Sequence, residues 1–425
     1  MTVFSVIAVI LSLTALLAWM NHRWLRIPES IGVMAMALAL SALLLIFGNV
    51  WPVAVKTLCH TVNDFDFSYF VLDVALAFLM FAGAFGIDTR LLARERVPVL
   101  LFATVGILLS TLLVGGAVFA LLQLIGLPTP FLHCLLFGAL ISPTDPVAVL
   151  AILKKSGVEP ELNMDVAGES LLNDGVAVVV FLTLYEFAAG MPGESAPSHA
   201  GFSGVLTLLS REVLGGVVTG LIIGWLGRRA LHGEMPATLD ILITLALVVG
   251  GYAFAGYLHV SAPLAMVTAG LAMSAGLSKN KSNNSEAIEH VEIFWEALDE
   301  IFNAVLFVLL GIVILAIADD FRWAFVAGGA LAIPVVLAGR FVSVSLMLPL
   351  TKLRCGDSVP ATAGLLTWGG LRGGISVALA LSLKPELSRE LFVYLTYFVV
   401  VFSIVVQGLT VGALARRFGF AKTAA

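Results

Sequence analysis

Two aspartates stand inside segments that are otherwise apolar enough to cross a membrane. Asp145 lies within Ser142-Pro143-Thr144-Asp145-Pro146, and Asp174 ends the run Gly168-Glu169-Ser170-Leu171-Leu172-Asn173-Asp174. An acid at the bilayer centre costs roughly 3 kcal/mol on insertion scales, so it reads as functional by default. The chemistry these groups support is reversible binding of a hard monovalent cation, for which Thr144, Ser170 and Asn173 add neutral oxygen ligands. Ser170 and Asp174 are four residues apart and share one face of a helix. A carboxylate partly withdrawn from water favours its protonated form, whereas a bound cation favours the ionised one. One carboxylate can therefore hold a proton or a metal ion but not both, which suffices for exchange. Asp174 is expected to be the exchanging group. Asp145, bracketed by two helix-breaking prolines, is expected to balance the half-helix ends that meet there, with some ligand role or none.

Further charges need partners at membrane depth. Glu169 and Arg340 form a reasonable structural pair, although counting residues places Arg340 some 10 Å deeper at about 1.5 Å per residue. Arg372 sits in Trp368-Gly369-Gly370-Leu371-Arg372-Gly373-Gly374 and is expected to offset dipole ends and the negative site. Glu296, Asp299 and Glu300 share one face, and read either as an electrostatic entrance for cations at the cytoplasmic side or as a solvated helix start. The seven histidines form no cluster, and the three cysteines (Cys59, Cys134, Cys355) are too few and too scattered for a disulfide framework or a metal site.

The elements that must hold these residues are membrane helices. The chain is 60% hydrophobic and 12% charged, with a mean hydropathy of +1.04, which excludes an ordinary soluble domain. The basic residues are scattered in short loops, so nucleic acid is not an expected partner. The apolar N-terminus carries its basic residues after the apolar run and reads as a retained span rather than a signal peptide. Thirteen spans of about 20 residues are predicted, roughly 2–20, 30–48, 68–87, 98–124, 130–153, 166–186, 204–227, 237–258, 262–278, 293–318, 322–350, 360–383 and 390–415. With the N-terminus outside and the C-terminus cytoplasmic, 16 of the 23 basic residues fall in cytoplasmic loops and five in outer ones.

If 204–227 is a connector, the remaining spans are two sets of six entering from opposite faces, the inverted-repeat plan of many secondary transporters. Each set carries one break at its fifth position, at Pro143–Pro146 and at the glycines around Arg372. Unwound backbone at that depth is tolerated only against protein or a water-filled cavity. Asp145 is nine residues from Lys154, and Asp174 nine from Asp165. Both carboxylates are thus roughly 13 Å from the cytoplasmic side.

The runs SPTDPVAVLAILKKSGV (142–158), GESLLNDGVAVVVF (168–181), FWEALDEIFNAVLFVLLG (294–311), WGGLRGGISVALAL (368–381) and FVVVFSIVVQG (398–408) resemble the bacterial NhaP-type monovalent cation:proton antiporters, relatives of the animal sodium/proton exchangers. The resemblance implies an all-α polytopic fold of two inverted six-helix repeats with crossed broken helices, like that of NhaA. It implies a core at about 98–186 and 322–417, dimerisation helices at about 1–87 and 237–318, elevator-like alternating access, and a homodimer in the bacterial inner membrane. By the same pattern Asp174 binds the cation or the proton, Thr144, Asp145, Ser170 and Asn173 complete the site, and Glu169 pairs with Arg340. Electrogenic relatives carry two aspartates where this chain has Asn173-Asp174, so the resemblance implies electroneutral one-for-one exchange. Several relatives place an acid at the second position of Phe81-Ala82-Gly83-Ala84, where this chain has alanine; whether Asp73 substitutes is left open. Sodium or lithium against protons is the expected exchange, with potassium the alternative cation. A passive channel and an intramembrane aspartyl protease fit less well, the first for want of a continuous lined pore and the second for want of its motifs. Neither a cofactor nor an enzymatic reaction is expected.

Overall fold

The computed structural model describes residues 3–47, 67–145, 149–150, 160–189, 202–231, 235–277, 285–317, 322–351 and 359–418. Pro146, Lys154, Lys155, Cys59 and Cys355 lie outside them, as does the side chain of Asp165. Among the described residues the chain is helical and no strand forms. That is the outcome expected of apolar segments whose backbone groups must be satisfied internally in lipid.

In chain order the helices are α1 (Val3–Met20), α2 (Glu29–Phe47), α3 (Phe67–Phe85), α4 (Thr89–Arg94), α5 (Arg96–Leu124), α6 (Phe131–Ile141), α7 (Pro160–Ala188), α8 (Phe202–Ala230), α9 (Ala237–Tyr257), α10 (Ala262–Leu277), α11 (Ser285–Ile317), α12 (Trp323–Met347), α13 (Val359–Gly369), α14 (Gly374–Ser382) and α15 (Arg389–Arg417). Among the described residues nine helices are long and apolar enough to cross a membrane. The segment predicted at 293–318 starts earlier, at Ser285. The segments predicted at 130–153 and 360–383 are interrupted, α6 stopping at Ile141 and α13 and α14 being separated by residues 370–373.

Among the described residues one large hydrophobic core runs through both groups of helices. Around the breaks, α5 packs on α6 and α12, α12 on α13 and α15, α14 on α15, and α7 on α6. Elsewhere α10 packs on α3 and α8, and α11 on α2 and α3. Between apolar helices in lipid, close approach of small residues supplies the attraction. Gly216, Gly220 and Gly224 recur every fourth residue along α8 and lie against Ser261, just before α10, and against Ala265 and Ala269 within it. A Cβ at Gly216 would stand 2.8 Å from the Ser261 carbonyl, and one at Gly224 2.9 Å from that of Ala269. Aromatic contacts tie α3 to α11, with ring centroids 5.1 Å apart for the stacked Phe78–Phe302 pair and 4.7 Å for the tilted Phe81–Trp295 pair. The Trp295 indole donates to Thr244 Oγ1 of α9 at 3.1 Å.

Among the described residues widened π turns lie at Phe70–Ala75 in α3, Phe102–Gly106 in α5 and Ser403–Gln407 in α15, and a fourth, Asn21–Leu25, continues from α1. Such turns are enriched where function displaces a helix from its regular ladder. Hydroxyls from neighbouring helices donate to carbonyls in two of them, Tyr252 to Leu72 and Ser343 to Gly106.

Candidate functional site

The site is built where two interrupted helices cross. Pro143 has no N–H to return to a carbonyl one turn earlier, so the ladder of α6 cannot continue through it. The chain then leaves the helix, and the backbone N–H of Asp145 donates to the carbonyl of Leu371 at 2.8 Å. This is an isolated antiparallel bridge between the two breaks. On the other side, the glycine-rich stretch between α13 and α14 supplies the extended backbone that the bridge needs.

Each break lends its charge to the other helix. The α6 end leaves carbonyls without intrahelical partners and carries the negative end of the helix dipole. The Arg372 guanidinium, through Nη1, donates there to the carbonyls of Ser142 at 3.2 Å and Pro143 at 3.1 Å. Conversely, the Asp145 carboxylate lies beside Gly373, at the positive N-terminal end of α14. A Cβ at position 373 would stand 2.7 Å from Asp145 Oδ2 and 2.9 Å from its Cβ, so any side chain there would force the acid to move.

α7 passes alongside and presents the rest of the group. Thr144, Ser170, Asn173 and Asp174 are all buried. Thr144 N–H donates to Asn173 Oδ1 at 3.3 Å, and Asn173 Nδ2 returns a bond to Thr144 Oγ1 at 2.7 Å. The hydroxyls of Thr144 and Ser170 meet at 3.0 Å. Asn173 thus uses both ends of its amide on one threonine, an arrangement that a carboxylate, which only accepts, does not reproduce. Asp174 is repelled by the charge of Asp145 and attracted by that of Arg372, which puts all three within one electrostatic neighbourhood.

Glu169, one turn before Asn173, bonds to the Arg340 guanidinium of α12, and both side chains are buried. The pair forms despite the depth difference expected from counting residues. Thr144, Glu169, Ser170, Arg340 and Gly370 line one small cavity, so the ion pair and the hydroxyls border a common space.

The acidic trio on α11 divides. Glu296 and Glu300 are exposed, whereas Asp299 is half-buried and feels the charge of Asp145. Asp73 lines a separate cavity of about 560 Å³ together with Glu186, Arg211, Glu212 and Tyr252, and that cavity contains none of Thr144, Ser170, Asn173 or Asp174.

Sequence reasoning did not single out three further contacts at the crossing. Ser403 Oγ accepts the N–H of Arg372 at 2.9 Å, Gln407 Nε2 donates to the carbonyl of Trp368 at 3.1 Å, and Ser142 Oγ donates to Ser110 Oγ at 3.0 Å. The signal for the first two was the polar pair Ser403 and Gln407, four residues apart inside an apolar run.

Residues 10–417 match the profile of the family described as sodium/hydrogen exchanger, transmembrane. The chain is 41% identical over 415 residues to the Na(+)/H(+) antiporter NhaP of Pseudomonas aeruginosa, covering 97% of this chain and 96% of that protein. It is 30% identical over 406 residues to the Na(+)/H(+) antiporter NhaH of Halobacillus dabanensis, covering 93% of each. In three dimensions it resembles the sodium proton antiporter MjNhaP1 of Methanocaldococcus jannaschii, solved at pH 8, with a TM-score of 0.75, 18% identity and coverage of 98% of this chain and 99% of that one. The last likeness is one of fold. A profile match over nearly the whole length, on a fold whose two interrupted helices meet beside a buried aspartate, places this chain in the transmembrane sodium/hydrogen exchanger family.

Proposed function

We propose that this chain is a secondary active antiporter that exchanges Na⁺, or Li⁺, for H⁺ across the bacterial inner membrane by alternating access. The observation that carries the reading is the buried Asp174, set among Thr144, Ser170, Asn173 and Asp145 at the crossing of two interrupted helices. The names of its relatives, sodium/proton antiporters at 41% and 30% identity, support the choice of ion. Proton and cation compete for one carboxylate, so loading one expels the other. Asn173 leaves a single exchangeable acid at positions 173–174, which makes the exchange electroneutral, one for one. Thr144, Ser170 and Asp145 complete the cation's oxygen ligands, and Glu169, Arg340 and Arg372 hold the frame. Glu296, Asp299 and Glu300 gather cations at the cytoplasmic mouth.

The larger plan follows the same reading. Thirteen spans, two inverted six-helix repeats and a connector at about 204–227 place the N-terminus outside and the C-terminus in the cytoplasm. Helices at about 98–186 and 322–417 form the moving core, and those at about 1–87 and 237–318 form the dimerisation scaffold. The purified chain, reconstituted with a pH-sensitive dye, tests the function. Sodium or lithium is expected to dissipate an imposed pH gradient between pH 6 and 9, and potassium to act weakly. Failure of all three cations sinks the antiporter reading.

A further inference from the structure

The break between α13 and α14 is racked against α15 by three hydrogen bonds. Trp368 Nε1 donates to Thr410 Oγ1 at 2.9 Å, Gln407 Nε2 donates to the Trp368 carbonyl at 3.1 Å, and Ser403 Oγ accepts the Arg372 N–H at 2.9 Å. The last two come from the ends of the π turn Ser403–Gln407. Ser403 and Gln407 are buried, and both bonds satisfy backbone groups that the interrupted helix leaves without helical partners.

The arrangement parallels the other break. There α7 holds Thr144 with Ser170 and Asn173, a hydroxyl and an amide three residues apart. On α15 a hydroxyl and an amide four residues apart hold Trp368 and Arg372. The amide on α15 therefore occupies, relative to its serine, the spacing that Asp174 occupies relative to Ser170. The first clasp is followed directly by the titratable Asp174, the second by Gly408.

The consequence runs through the backbone. Residues 368–372 carry the Leu371 carbonyl that receives Asp145 N–H, and the Arg372 side chain that caps α6 and attracts Asp174. A shift of this segment moves both the carboxylate beside the site and the cation that balances it. We propose that Ser403 and Gln407 are positioning residues of the transport site, which set its affinity for sodium by fixing the Trp368–Arg372 segment without touching the ion. This rests on the antiport reading above.

The test reconstitutes the full-length chain with a pH-sensitive dye and titrates sodium chloride. Ser403→Ala removes the acceptor of the Arg372 N–H, and Gln407→Leu removes the donor to Trp368 at nearly equal volume. Each is expected to raise the KM for sodium roughly three- to tenfold, the scale of one lost hydrogen bond, with a much smaller change in maximal rate. Ser403→Thr keeps the hydroxyl and is expected to restore the wild-type KM. The inference is overturned if either folded variant keeps the wild-type KM, or if the maximal rate falls with KM unchanged. Should Ser403→Ala fail to give folded protein, Gln407→Leu decides alone, since it leaves the hydroxyl and the packing volume in place. A wild-type chain that exchanges sodium alongside insensitive variants defeats this inference only, whereas an inactive wild-type chain defeats the antiport reading beneath it.

Discussion

The backbone N–H of Asp145 and the carbonyl of Leu371, more than two hundred residues apart in sequence, meet at 2.8 Å and join the two interrupted helices at their crossing. Around that bond the charges are exchanged. Arg372, from one break, caps the carbonyl end of the other helix, while Asp145 lies at the amide end of α14. Two helix dipoles that would otherwise end unpartnered at membrane depth are thereby compensated, and Asp174 sits beside the arrangement with an acid that repels it and a base that attracts it.

Asp174→Asn is expected to abolish cation-dependent proton movement while leaving folded protein, because the amide keeps the shape and loses the exchangeable proton. Dye-reported exchange in proteoliposomes checks this, with size-exclusion behaviour as the control for folding. Retained exchange would move the site elsewhere.

Gly373→Ala is expected to lose most transport. The added Cβ falls 2.7 Å from Asp145 Oδ2, a clash with a carboxylate already confined between two helix ends. Overpacking of this kind costs roughly 1–3 kcal/mol. Gly116→Ala, whose added carbon meets nothing within 4 Å, is the matched control and should retain wild-type transport and melting temperature.

Removing one partner of the buried Glu169–Arg340 pair, as in Arg340→Ala or Glu169→Ala, is expected to destabilise the protein by about 3–5 kcal/mol, since the remaining charge is left buried and uncompensated. Thermal unfolding followed by tryptophan fluorescence reads the loss. The double variant Glu169→Ala/Arg340→Ala should cost less than the sum of the two single changes. Strict additivity would mean that the pair does not act as a unit.

Sodium-driven exchange by the wild-type chain is expected to be insensitive to an imposed membrane potential, because one positive charge leaves for each that enters. Setting the potential with a potassium gradient and valinomycin tests this. A clear voltage dependence of the rate would contradict the assignment of a single exchangeable acid beside Asn173.

The charges of the candidate site were legible in the sequence because the cost of a charge in lipid is local: it attaches to Asp145, Asp174, Glu169, Arg340 and Arg372 whatever the rest of the fold does. The breaks were legible for a similar reason, since proline lacks a donor and glycine admits extended backbone regardless of neighbours. The π turns were not legible. Phe70–Ala75 and Ser403–Gln407 contain neither proline nor glycine, and the widened turns coincide with bonds to side chains and backbone on other helices. The roles of Ser403 and Gln407 were hidden with them.

By itself the chain determined that it lies in a membrane, that it carries acids inside its apolar segments, and that two of its spans are interrupted, because hydropathy and backbone chemistry are properties of short segments. Only the tertiary structure decided which helix end each charge serves. Arg372 caps α6, Asp145 faces Gly373, and Asn173 is occupied by Thr144. Those pairings join residues tens to hundreds of positions apart, and no periodicity along the chain encodes the angle at which two broken helices cross.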